Sequence, residues 1–330
     1  MCEGFQKRWG QGDRRGRRRP PLASNPLAHP NLLKQHTLLN FVSKRIGGAI
    51  DAPAGEIDIF RTTMKPLPRT ARRRYSQALY WLSVGSHGLI PGTLGSYYVV
   101  GHGKSGTNWL CNLLSHYFGI PVFEGWTRLT PALSSQIFHL HRFVVTPMAR
   151  RRTFYLYRDG RDVVVSSYFA KMRQPDPRFR REFEAYSGDV MEESNVRGQL
   201  PAYIDWFFGV DRVSSIRWQP HIEESFKHPY VRLSFERMIE DTYGELERAL
   251  REMTGSSIDS KKLVEAIAQN DFAKKKKKAN AHFLRSGRTG DWRQYFTRAA
   301  ADRFNHHAGE ALIALGYEES LDWVKECPES

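Results

Sequence analysis

The segment Gly101-His102-Gly103-Lys104-Ser105-Gly106-Thr107-Asn108-Trp109 carries the residue types that bind an anion. Glycines let backbone N–H groups turn inward, a helix starting behind them adds partial positive charge, and Lys104 adds a full one. Ser105, Thr107 and Asn108 supply short donors. A nucleotide kinase would need Gly-x-x-x-x-Gly-Lys-Ser/Thr, with glycine at position 98. The chain has Tyr98 there, so this phosphate loop lies outside the Walker pattern. The plainer alternative is a tight turn with Thr107 capping the helix. A second group, Arg158-Asp159-Gly160-Arg161-Asp162, is followed by Ser166 eight residues after Arg158. An arginine fork and a hydroxyl converging on one point suit a second phosphate. A surface Arg–Asp pair with a cap at Asp159 or Asp162 is the competing reading. A third stretch, Phe283 to Trp292, holds Arg285, Ser286, Gly287, Arg288, Gly290 and Asp291, and reads as an anion-binding loop or a solvated one.

Those groups need strands and helices behind them. Tyr97–Val100, Gln136–Val145, Thr153–Tyr157 and Tyr230–Phe235 read as strands. Thr107–Phe118, Asp162–Met172, Tyr243–Met253, Lys261–Asn270 and Arg298–Leu315 read as helices. Prolines and charges between Gln174 and Gly198 predict an inserted loop or lid. Strands alternating with helices predict an α/β fold, a P-loop-like parallel sheet flanked by helices on both faces. Arg158 then sits at the C-terminal end of a strand, where such sheets bind ligands. An acidic metal ligand would be expected there in a P-loop enzyme, so no metal is expected. The economical division is a disordered basic tail over 1–28, an N-terminal extension over 29–95 and one main domain over 96–330.

Composition narrows the partners. Over 330 residues, 50 Lys+Arg against 35 Asp+Glu give a net charge of +15, which calls for an anionic partner. Cys2, Cys111 and Cys327 form neither a disulfide framework nor a zinc site, and point to a reducing compartment. The basic N-terminus is followed by no apolar run. Ser76–Val100 is interrupted by Gly85, Gly88, Pro91, Gly92 and Gly95, against a spanning helix. The expectation is a soluble, cytoplasmic protein. The basic cluster before Leu79-Tyr80-Trp81-Leu82 reads as a surface amphipathic helix, with peripheral membrane contact as the sharper alternative. Lys274–Lys278 reads as a solvated run, and no specific nucleic-acid partner is expected.

Together the three groups resemble the cytosolic-type PAPS-dependent sulfotransferases, where PAPS is 3′-phosphoadenosine 5′-phosphosulfate. That family has a Pro-Lys-Ser-Gly-Thr-Thr-Trp loop, which appears here as Gly103 to Trp109. Its Arg and the Ser eight residues later match Arg158 and Ser166. Its late Arg-Lys-Gly and Gly-Asp-Trp match Arg285-Ser286-Gly287 and Gly290-Asp291-Trp292. The resemblance covers about residues 96 to 316. It implies that residues 103–109 hold the 5′-phosphosulfate, with Lys104 on its oxygens, Trp109 against adenine, and Arg158, Ser166, Arg285, Ser286 and Gly287 around the 3′-phosphate. Phe235 and Phe272 fall where the family places aromatics near the base, or are core residues. Ser286 stands where the family has a basic residue, and Arg288 is a candidate substitute. The family's dimer pattern is altered at Arg298, which leaves the oligomeric state open.

Sulfuryl transfer needs an aligned nucleophile, stabilisation of the leaving group and a general base for the acceptor proton. The family places a histidine at a strand end between the first two motifs. The candidates are His139 and His141, with His141 favoured as nearer the expected strand end. The resemblance implies sulfuryl transfer from PAPS to a hydroxyl or amine by in-line displacement. Small-molecule, glycan and lipid acceptors stay open, with residues 121–135 and 174–225 as contributors to the acceptor pocket. The alternatives are a nucleotide-dependent phosphotransferase and a non-enzymatic protein binding nucleic acid or membrane surfaces.

Overall fold

Four short runs rich in β-branched and aromatic residues build the sheet: β1 (Tyr97–Val100), β2 (Ile137–Leu140), β3 (Thr153–Tyr157) and β4 (Val231–Ser234). The structure is a computed structural model that describes residues 95–123, 135–144, 147–174, 177–209, 217–270 and 287–330. The four strands pair in parallel in the order β2-β1-β3-β4. Side chains alternate across the pleat. Tyr98, Val100, Phe138, Leu140 and Tyr155 enter one core, while Val99, Ile137, Phe154, Leu156 and Leu233 enter the other.

Helices cover both faces, as parallel strands buried on both sides require. Among the described residues they are, in chain order, α1 (Thr107–Phe118), α2 (Pro147–Arg150), α3 (Gly160–Arg173), α4 (Arg178–Ser187), α5 (Val196–Gly209), α6 (Trp218–Phe226), α7 (Phe235–Glu240), α8 (Thr242–Thr254), α9 (Ser260–Gln269) and α10 (Arg298–Leu315). The first core takes α3, α5, α6 and α10; the second takes α1, α7, α8 and α9. This is the α/β, P-loop-like architecture expected from the alternation of elements. Because β1 and β3 are neighbours, the loops leaving their C-terminal ends lie side by side.

Two expectations need correction. The strand predicted over 136–145 ends at Leu140, because only Ile137–Leu140 pair with β1, whose own last residue is Val100. Beyond that register β2 has no ladder to continue, and Phe143 and Val144 join the first core from a loop. Nor is 174–198 a plain loop or lid. It contains α4, anchored by Phe183, which is fully buried against Tyr203 and Trp206. The tail 1–28, the extension up to residue 94, the Arg69–Tyr80 cluster, the Lys274–Lys278 run, Phe272, Arg285 and Ser286 lie outside the described residues. Among the described residues, no helix is long and apolar enough to cross a membrane.

Candidate active site

The phosphate loop leaves β1 at Gly101 and enters α1 at Thr107. Gly106 is the N-cap, with φ +89° and no side-chain cap, and the first turn of α1 has no acidic residue. The helix start therefore keeps its partial positive charge for an outside anion. Glycine is needed at 106 twice over. Its φ is left-handed, and an added Cβ would lie 2.7 Å from the Phe235 ring. Lys104 also has positive φ, +72°, the sole such non-glycine among the described residues. A left-handed conformation at an ordinary residue costs about 1–2 kcal/mol and persists where the surrounding structure holds it. Thr107 does not cap α1; it is buried, and its Oγ1 lies 2.7 Å from His139 Nε2. Asn108 is exposed.

Arg158 draws the separate elements together. Its guanidinium donates from Nη1 to the Lys104 carbonyl (3.2 Å) and from Nη2 to the Arg288 carbonyl (3.1 Å). It also lies 3.5 Å from Asp162 Oδ2 and stacks over Phe235 at 4.4 Å. Those partners come from the first loop, the third loop, α3 and α7. The Arg–Asp pair is thus buried, not a surface pair, and Asp159 is the cap of α3, accepting from Arg161 N at 2.9 Å. Burial pushes the Asp162 carboxyl above the usual carboxylate range, against the pull of Arg158 and two backbone amides. Ser166 is half-buried, one turn beyond Asp162 on the same side of α3.

Phe235 is buried and supports the loop from beneath: one face carries Arg158, and Trp109 meets it edge-on at 6.1 Å. Trp109 donates from its indole N–H to the Asn270 carbonyl at 3.1 Å, which fixes the ring at the end of α9. Gly287 has φ +65° and opens the described part of the third loop.

The two histidines differ in environment although their rings are 4.7 Å apart. His139, on β2, is tied to Thr107, and burial together with its neighbour His141 lowers its pKa to about 4. His141 is exposed just past the strand, with Nδ1 2.8 Å from the Gly101 carbonyl. A carbonyl only accepts, so Nδ1 carries the hydrogen and Nε2 of the neutral ring carries the lone pair. Around them stand His102 of the first loop, Phe143 from beyond β2, and two side chains that sequence reasoning left unplaced, Phe207 and His221. His102 meets Phe207 and His221 edge-on, each at 5.9 Å. His221 is fully buried, bonded to the Tyr155 hydroxyl at 2.6 Å, and burial lowers its pKa to about 3. No local motif marks Phe207 or His221; tertiary packing alone brings them here. Among the described residues, no group of three or more His, Cys, Asp or Glu is arranged to hold a metal ion.

The sulfotransferase domain family matches residues 138–316. Sulfotransferase 2A1 of Homo sapiens is 27% identical over 252 residues, covering 65% of this chain and 83% of that one. Sulfotransferase 1A1 of Mus musculus is 25% identical over 264 residues, with the same coverages. The crystal structure of mouse sulfotransferase SULT7A1 complexed with PAP superposes with a TM-score of 0.51 at 18% identity, covering 74% of this chain and 92% of that one, a likeness of fold. The chain belongs to the sulfotransferase domain family, the PAPS-dependent enzymes that its three motifs resemble.

Proposed function

We propose that this protein transfers the sulfuryl group of PAPS to a hydroxyl or amine acceptor, with His141 as the general base. The observation that carries the reading is the Arg158 guanidinium, which bridges the Lys104 and Arg288 carbonyls and so brings the first and third anion loops to one place. The site fits a phosphate-rich donor. Ser105 Oγ in the first loop and Arg158 Nε are buried without hydrogen-bond partners, and a ligand that supplies acceptors would account for polar atoms left so. Residues 103–109 would hold the 5′ end of the donor. Arg158 and Ser166 would hold the 3′-phosphate, joined by Gly287 and, from outside the described residues, Arg285 and Ser286. Phe272 also lies outside them and stays an expectation for the base region.

When bound, the donor supplies an activated sulfuryl group on a phosphate leaving group. The chain's own work is positional and electrostatic. Lys104 and the start of α1 offset negative charge as it gathers on the leaving oxygen. His141 takes the acceptor proton at Nε2, while its Nδ1–H stays on Gly101 and keeps the ring oriented. His139 is less suited to that task, because its Nε2 is engaged by Thr107. The aromatic wall of Phe143 and Phe207 supports a small-molecule acceptor.

The test is a calorimetric titration with adenosine 3′,5′-bisphosphate, 5′-AMP and Mg-ATP. Clear preference for the bisphosphate is expected. Equal binding of bisphosphate and 5′-AMP, or preference for Mg-ATP with ATP turnover, would overturn the reading in favour of a phosphotransferase.

A further inference from the structure

Asp162 is fully buried, yet its carboxylate is saturated by groups from two other parts of the chain. Oδ2 accepts the Gly290 N–H at 2.9 Å and Oδ1 accepts the Trp292 N–H at 3.0 Å. Arg158 Nη2 lies 3.5 Å from Oδ2. The same guanidinium donates to the carbonyl of Arg288, two residues before Gly290. The turn is thus gripped from both sides: a carboxylate takes its N–H groups while an arginine takes its C=O. Gly290 sits at φ +74°, so the turn has a defined shape that these bonds fit.

The charges of Arg158-Asp159-Gly160-Arg161-Asp162 divide between two tasks. Arg161 packs on the side chains at the far end of the turn, bonded to Asp159 at 2.8 Å and stacked on Trp292 and Trp323 at 3.8 and 4.6 Å. Arg158 and Asp162 are left to take the backbone of the third loop. Two oxygens meeting two amides is a match that a carboxylate makes and a carboxamide cannot, since one of its ends is a donor.

We infer that Asp162 is a positioning residue of the donor site: by pinning the Gly290–Trp292 turn beside Arg158, it assembles the place where the donor's 3′-phosphate is held. This rests on the donor reading above. Asp162 touches no part of the donor. Its role is to fix the distance between two elements whose sequence separation, from Arg158 to Arg288, is 130 residues.

The test is the ratio of Kd for 5′-AMP to Kd for adenosine 3′,5′-bisphosphate, in the wild-type chain and in Asp162→Asn. The variant is expected to lose about tenfold or more of the wild-type preference while binding 5′-AMP within about twofold, since only the 3′ site is loosened. No preference in the wild type would sink the donor reading itself. A wild-type preference that survives in Asp162→Asn would leave that reading standing and overturn the positioning role. Equal weakening of both ligands would also overturn it, because a merely structural part affects the whole site. Should the variant fail to fold, hydrogen exchange on the wild-type protein decides. The Gly290 and Trp292 amides should exchange slowly without ligand, and rapid exchange there would refute the pinning.

Discussion

His141→Gln separates catalysis from scaffolding more sharply than other changes at the site. His141 is exposed, and the one side-chain hydrogen bond described for it is to the Gly101 carbonyl at 2.8 Å. Such a bond contributes about 0.5–1.5 kcal/mol net. In a domain of this size each kcal/mol moves Tm by roughly 2–4 °C, so the variant should melt within about 5 °C of the wild type. Glutamine cannot accept a proton, and a lost general base costs about 10²–10⁴ in rate, or about 3–5 kcal/mol of barrier. The expected pattern is a folded protein with unchanged affinity for adenosine 3′,5′-bisphosphate and at least about hundredfold slower sulfuryl transfer. The assay is transfer from PAPS to a panel of phenolic, steroid and glycan hydroxyls, with binding followed by calorimetry. A variant that retains transfer within about tenfold of wild type would refute the assignment. So would a larger rate loss in His139→Gln at unchanged bisphosphate affinity, which would move the base two residues back, onto β2.

Three further outcomes follow from the packing. Gly106→Ala should destabilise the chain by roughly 1–3 kcal/mol, from the left-handed φ and the 2.7 Å approach to Phe235; a thermal melt measures it, and an unchanged Tm would contradict the geometry. Arg161→Met breaks a buried ion pair and should cost about 3–5 kcal/mol, read by chemical denaturation, with a loss below about 1 kcal/mol showing the clamp to be inert. Stability should also fall with acidification. His139 and His221 have folded pKa values of about 4 and about 3 against an ordinary 6.5, so the unfolded chain binds protons first as pH drops below 6.5. The stabilisation is complete above that pH and is lost progressively toward the folded values, amounting to about 2 kcal/mol for each histidine by pH 5. Melts across pH 5–8 should slope accordingly, and His221→Phe should flatten the slope if it folds.

Much of this was legible from residue order. Tyr97–Val100, Thr107–Phe118, Thr153–Tyr157 and Arg298–Leu315 were readable to the residue, because glycines, prolines or polar residues bracket each apolar run. The extent of β2 was not, since Phe143 and Val144 continue its apolar pattern while packing from a loop; only the partner strand sets where pairing stops. Phe183 hid α4, because a single buried anchor in a charged segment leaves little periodicity to read. His139 and His141 were level by alternation, and a contact with Thr107, 32 residues away, distinguishes them. Asp162 and His221 were illegible for a shared reason: a charged or polar residue in sequence looks solvated, and only the fold reveals that its partners lie across the molecule.

The reach of Arg158 has a bearing on biosynthesis. Its two carbonyl partners are 54 and 130 residues away, and Arg161 beside it bonds Glu318, 157 residues further on. A chain emerging from the ribosome, even with its sheet paired, holds half of the proposed donor site until residue 288 has cleared the exit tunnel. At about 5–20 residues per second, the stretch from Arg158 to Arg288 takes roughly 7–26 seconds to make. Throughout that interval the nascent domain gains no stabilisation from the nucleotide, and the basic loop after β1 stands without its counterpart. On the donor reading proposed above, nucleotide binding would report that synthesis has passed residue 288, and donor present during synthesis would favour molecules that reach it over shorter ones.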